Sequence, residues 1–147
     1  MTVDTTLPGT TSALFNVPKL AEDGSNWITY KERTLTAISA RGLMRYADGR
    51  ALEPLPYPVD EKTGSLKPKA DGSIPNEKEI EERDKKIDEY DQKNSLVKQQ
   101  VFSTITDRLL LRVQKLESAS EVWAEICQIH EDKTELVQID LRRRLHE

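Results

Sequence analysis

The sequence predicts an all-α fold, a compact multi-helix domain, on three observations. Its two tryptophans each sit just inside a capped segment, Trp27 after Asp23-Gly24-Ser25-Asn26 and Trp123 after Ser118-Ala119-Ser120-Glu121. Apolar residues in several segments recur at the three- and four-residue spacing of an amphipathic helix. Glycines and prolines punctuate the chain between those segments, where helices must stop. Aromatic residues are only 5% of the chain. Each indole can bury roughly 150–250 Å², so both are assigned to anchoring a small helical core.

The elements follow in order. Residues 1–14 are rich in Thr, Ser and Gly. They carry too little apolar surface to offset the cost of ordering and read as a disordered tail. The helical domain is taken to span residues 15–147. It opens with an extended segment, because Pro18 limits any helix there, and this segment lays Phe15, Val17 and Leu20 on the core. The first helix starts at Ser25 or Asn26 and runs to about Arg41, with Gly42 as its stop. Ile28, Leu35 and Ile38 form its apolar stripe, flanked by Trp27, Tyr30 and Thr34. Leu43 to Ala47 makes a short helical turn closed by Asp48-Gly49.

From Arg50 to Pro75 the helical pattern breaks. Prolines at 54, 56, 58, 68 and 75, with glycines at 64 and 72, leave a long proline-rich loop insert. A small hairpin is expected over Val59 to Leu66, around Thr63-Gly64. Asn76 then caps a long helix that runs to about Ser103. Its stretch from Glu77 to Lys93 carries eight acids and five bases, with Ile80, Ile87 and Tyr90 as its large apolar groups. Asn94, Val97 and Val101 continue the seven-residue spacing. That run is too short to establish a coiled coil, so it reads as a solvated helix with a narrow buried seam. A helix–helix partner seam is the alternative.

A short run from about Thr106 to Gln114 is apolar on most sides and is expected to be central, with Leu109 as an anchor. Ser118 and Glu121 have the spacing of a capping box. They open a helix whose buried face is Val122, Trp123, Ile126, Ile129 and His130. A last run begins near Thr134 and places Val137, Leu141 and Leu145 four residues apart. That pattern is still running at Glu147, so the chain reads as part of a longer polypeptide with its last helix truncated.

Composition narrows the function classes. At 147 residues the chain suits one domain, with 36% hydrophobic and 33% charged residues. A formal net charge of −4 lacks the basic footprint of a dedicated nucleic-acid binder. One cysteine excludes an internal disulfide and any multi-cysteine zinc site. No apolar run approaches a membrane span, and the first residues have no secretory pattern, so cytosol or nucleus is the default location.

Candidate chemistry is sparse. Cys127 and His130, at i and i+3, can share a helix face as a thiol–imidazole pair, but they read as a buried Cys beside a helix-terminal His. Acid pairs such as Glu81-Glu82 sit among opposite charges and read as solvated surface. The glycines form no phosphate-cradling pattern. No enzyme activity, cofactor, metal or small-molecule substrate is therefore expected. Arg142, Arg143 and Arg144 are the concentrated basic patch, fanned across the face opposite Leu141 and Leu145. They are candidate contacts for phosphate or for the acidic helix of a neighbouring copy.

The spacing itself is recognisable. Lys19-Leu20-x-x-x-Gly24-x-Asn26-Trp27-x-x-Tyr30-Lys31, then Leu35, Gly42-Leu43 and Tyr46-Ala47-Asp48-Gly49, resembles the N-terminal Gag region of copia-type LTR retrotransposons. A second block is similar as well: Ile105-x-Asp107-x-Leu109-Leu110, Ser118-Ala119-Ser120-Glu121-Val122-Trp123-x-x-Ile126, and Leu141-x-x-x-Leu145. The likeness covers roughly residues 15–147. Tyr30 stands where Trp is common, Ile126 where Leu is, and His130 where an aromatic often sits. The resemblance implies a fold like that of retroviral and retrotransposon capsid N-terminal domains. It implies self-association into a virus-like particle that encloses the element's RNA, with RNA held mainly by regions beyond this chain. The particles would be cytoplasmic, with a nuclear stage as a further option. The alternative is a domesticated Gag-like adaptor or RNA-associated protein that forms no shell. Core anchors under either reading are Trp27, Tyr30, Leu35, Ile38, Leu109, Val122, Trp123 and Ile126.

Overall fold

A computed structural model describes the backbone of residues 16–146 and the side chains of residues 16–132. The expectations for the 1–14 tail, for Phe15 and for the side chains of Val137, Leu141, Arg142, Arg143, Arg144 and Leu145 lie outside the described residues. Five helices and no strand occur among the described residues: α1 Trp27–Ala40, α2 Met44–Asp48, α3 Glu77–Phe102, α4 Asp107–Val113 and α5 Ala119–His146. The chain divides into two compact units, one of Met1–Ala51 with Ser95–Glu147, the other of Leu52–Asn94. No helix among the described residues is long and apolar enough to cross a membrane.

In the first unit, α2 packs on α1 and on α5, and α4 packs on α5. Two apolar clusters result. The larger joins Leu20, Trp27, Tyr30, Val101, Ile105, Val113, Val122, Trp123 and Ile126. The smaller joins Ile38, Leu43, Ala47, Val97 and Ala119. Helix α1 ends on a Schellman motif: Gly42 N donates to Ser39 O at 2.9 Å and Leu43 N to Ile38 O at 3.1 Å. Gly42 supplies the left-handed turn at φ +72°. Leu43 and Ile38, the apolar pair that accompanies such a motif, share the smaller cluster.

Three expectations are corrected here. Ile28 is not on the buried stripe; it is 71% exposed. Trp27, Tyr30, Thr34, Ala37 and Ile38 form the buried face instead, with Leu35 half-buried beside it. The large rings set the rotation of α1, and Ile28, one residue on from Trp27, is turned to water. Helix α4 is less central than its composition suggests: Val113 is buried, Leu109 and Leu110 are half-buried, and Leu111 is 65% exposed. Seven residues make two turns and offer one face to the core. Finally, no separate helix starts near Thr134, because α5 is continuous from Ala119 to His146. No Gly or Pro interrupts that stretch.

In the second unit, residues 52–76 contain no helix. Val59 and Leu66 form an isolated antiparallel bridge, closed by Asp60 N to Ser65 O and Gly64 N to Asp60 O, both 2.7 Å. Helix α3 begins on a reciprocal capping box. Glu79 N donates to Asn76 Oδ1 at 2.8 Å, and Asn76 N donates to Glu79 Oε1 at 3.1 Å. The same Glu79 pairs with Lys69, which ties the loop to the helix start.

Candidate functional site

The residues that the sequence singles out most strongly converge on one aromatic cluster in the first unit. Trp27 opens α1, and Tyr30 follows one turn later on the same face. Trp123 and His130 lie two turns apart on α5. The Trp27 and Trp123 rings sit 5.9 Å apart, and Tyr30 lies 6.1 Å from Trp27 and 6.3 Å from Trp123. The His130 imidazole stacks on Trp27 with centroids 5.1 Å apart and planes 23° from parallel. These tilted and stacked pairings suit the quadrupoles of the rings and add to the burial term.

Asn26 explains why the chain enters this cluster as it does. Of the two expected helix starts, Ser25 and Asn26, it is Asn26 that holds the N-cap position of α1, yet its side chain makes no capping hydrogen bond. Its Oδ1 instead accepts from Ala21 N at 2.8 Å, and its Nδ2 donates to Lys19 O at 2.9 Å. One side-chain amide thus satisfies both polar groups of the incoming extended segment, a competing use that short polar side chains offer the backbone. Leu20, held between those two anchors, is buried, and its N–H donates to Thr104 O at 2.8 Å. Gly24 completes the turn at φ +75°, where a Cβ would stand 2.8 Å from His130 Nδ1.

Beneath the rings lies a polar contact. Tyr30 Oη is 2.7 Å from Thr104 Oγ1, which is itself 3.1 Å from Gln100 O and 3.0 Å from Val101 O. The threonine has one proton and spends it on a carbonyl of α3, so the tyrosine donates. Burial raises the Tyr30 phenol above its ordinary value, with the Thr104 bond opposing it. Thr104 and Gln100 are buried polar residues that the apolar-periodicity reading passed over. Their signal was faint: both are polar residues at helical spacing from Val97 and Val101.

Cys127 and His130 do share α5, but their surroundings differ. Burial, followed by the charge of Glu131, pushes the Cys127 thiol up to about 11, so it stays protonated at neutral pH. Its neighbour Glu131 pairs with Lys31 across to α1, and that pairing raises the Lys31 pKa. No group of three or more His, Cys, Asp or Glu able to hold a metal occurs among the described residues.

A cavity of about 490 Å³ opens beside the cluster, lined by Leu20 to Asp23, Thr106, Arg108, Leu109, Arg112, Ile129 and His130. Its charges are mixed, two acids with two arginines, and Arg112 is already paired to Glu125 at 3.4 Å. Of the remaining anchors, Val122 and Ile126 are buried in the larger cluster, with Leu35 and Leu109 half-buried against it, while Ile38 belongs to the smaller one. No family model, curated protein or solved structure matches the chain.

Proposed function

We propose that this chain is a structural Gag/capsid domain of a copia-type retrotransposon, whose work is self-association into a particle that encloses the element's RNA. One observation carries the reading. Seven residues of the two resembling blocks, Leu20, Gly24, Asn26, Trp27 and Tyr30 in the first and Trp123 and Ile126 in the second, act at a single place, and Leu43, Ala47 and Ala119 of the same blocks meet in the smaller cluster. Their spacing is then a packing signature and not a coincidence of composition. A shell subunit needs a rigid helical unit with several weak faces, because symmetry multiplies small contacts into a closed assembly.

The acidic helix from Glu77 and the basic run Arg142 to Arg144 are the complementary patches that would meet between copies. The test is the mass of the chain by light scattering across a concentration series, with electron microscopy for particles. Assembly with rising concentration supports the reading; a strict monomer at the highest concentration moves the protein to the domesticated adaptor class. Reversing the charge at Arg142, Arg143 and Arg144 is expected to lower particle yield, and an unchanged yield removes those residues from the interface. RNA contact is read separately from the salt dependence of binding. A steep fall with salt places phosphate contacts in this chain, and a flat, weak response assigns them elsewhere.

A further inference from the structure

We propose that residues 52–59 form a polyproline II ridge that is the ligand of a partner protein module with an aromatic-lined, basic-rimmed groove. The conformation follows from the sequence. Pro54, Pro56 and Pro58 fix their own φ near −65°. Each also pushes the residue before it, Glu53, Leu55 and Tyr57, out of the α region. Three residues are thereby kept extended, and they alternate with prolines whose φ suits polyproline II and which have no N–H to offer a sheet.

Burial follows a period of three. Pro54, Tyr57 and Asp60 are half-buried, and every residue between them is exposed. A strand would alternate every second residue; three residues per turn is the repeat of a polyproline II helix. One edge of the ridge therefore faces inward, and Arg83 of α3 fastens it. The guanidinium lies 4.2 Å over the Tyr57 ring, and its Nη1 donates to Leu55 O at 2.7 Å. A single side chain thus binds both the ring and the backbone. The outer edges carry Leu52, 88% exposed, and Leu55, 63% exposed, one turn or about 9 Å apart. Val59 is 49% exposed on the other edge.

A ridge of this kind has lost much of its conformational freedom before any partner arrives, so little ordering cost remains at binding. Aromatic-lined grooves that read proline-rich segments exploit that condition. Glu53, Asp60 and Glu61 flank the ridge and call for basic residues on the groove's rim. A second copy of this chain suits the ridge less well. Its two indoles are buried in their own cluster and leave no tryptophan shelf for an extended ligand.

The experiment titrates the full chain against a panel of purified SH3 and WW domains by calorimetry, alongside the double variant Leu52→Ser/Leu55→Ser. Both leucines are exposed, so the variant keeps its urea midpoint. At least one domain is expected to bind, and the double variant to weaken that binding about tenfold or more, as the loss of two anchoring side chains does. Failure of every domain to bind more tightly than about 1 mM overturns the proposal, as does binding that the double variant leaves unchanged. A fall in the light-scattering mass of the double variant alone also overturns it, since the leucines would then contact a second copy.

Discussion

Residues 16–51 with 95–132 are ordered from within, by rings and aliphatic side chains withdrawn from water, whereas residues 52–94 are ordered from outside. In the first unit Trp27, Tyr30, Trp123, Val122 and Ile126 are buried together. In the second, Leu52, Leu55, Val59 and Ile74 are exposed, and the fixed points are Arg83 on Tyr57 and Leu55, Lys69 on Glu79, and the Asn76–Glu79 capping box. The charge divides the same way. Residues 52–94 hold twelve acids and eight bases, which is the whole of the chain's net −4; the rest of the sequence is balanced. The lesson is that α3 serves two regimes along one continuous helix. Its end buries Val97 and Val101, while its beginning carries a solvated charge pattern to which proline-bound chain is tied at single points.

The sharpest way to break this contrast is Trp123→Ala. It removes a buried ring that packs against both Trp27 and Tyr30, so a loss of about 3–5 kcal/mol is expected in urea unfolding. A loss below about 1 kcal/mol would mean that the cluster is not what orders the first unit.

Gly24→Ala should come next. The left-handed backbone costs roughly 1–2 kcal/mol for a residue with a Cβ, and the new carbon would stand 2.8 Å from His130 Nδ1. The His130 ring must then shift off Trp27, which a change in tryptophan fluorescence would report. Tyr30→Phe is smaller, at about 1–2 kcal/mol. It deletes the donor to Thr104 while keeping the ring, and Thr104 retains its own bond to α3.

High pH probes the same unit without changing its shape. The folded Cys127 thiol titrates near 11 against an ordinary 9.0, so the unfolded chain releases that proton first. Its contribution is intact below pH 9 and is lost as pH rises toward 11. The raised Tyr30 phenol acts in the same direction. Urea midpoints measured from pH 8 to 11 should therefore fall less steeply in Cys127→Ala than in the natural chain. Parallel slopes would mean that the thiol is not withdrawn from water. Because Cys127 is only half-buried, the difference should be modest.

How far the sequence foretold this depends on which force was acting. Caps and stops were legible at Ser118, Gly42 and Asn76, because local hydrogen bonding and φ preferences belong to a few adjacent residues. The rotation of α1 was not. The spacing of Ile28, Leu35 and Ile38 fits a stripe as well as that of Trp27, Tyr30 and Thr34, and only the partner rings on α5 decide between them. Asn26 does hold the N-cap position of α1, but the use of its side chain was not legible, for a related reason. A helix-start asparagine can serve its own helix or the strand of chain before it, and Lys19 and Ala21 claim it here. The Tyr30–Thr104 bond spans 74 residues, and no local pattern pairs its two ends.

Arg83→Ala is the mildest substitution and the one that sharpens the comparison most. If the second unit is fastened from outside, its fixed points are separable from the core, and removing one should free a segment without unfolding the protein. The variant loses a guanidinium–ring contact worth about 0.5–1 kcal/mol and one hydrogen bond to a carbonyl that water can serve instead. Global urea stability should move by no more than about 1 kcal/mol. Amide exchange at Asp60 and Lys67, whose N–H groups bond Ser65 O and Pro58 O beside the ridge, should rise, while that of Val97, Val101 and Ile126 stays slow, because the opening is local. If the buried amides of the first unit instead exchange faster in step with Asp60 and Lys67, the two units open together, and the division between inner and outer ordering does not hold.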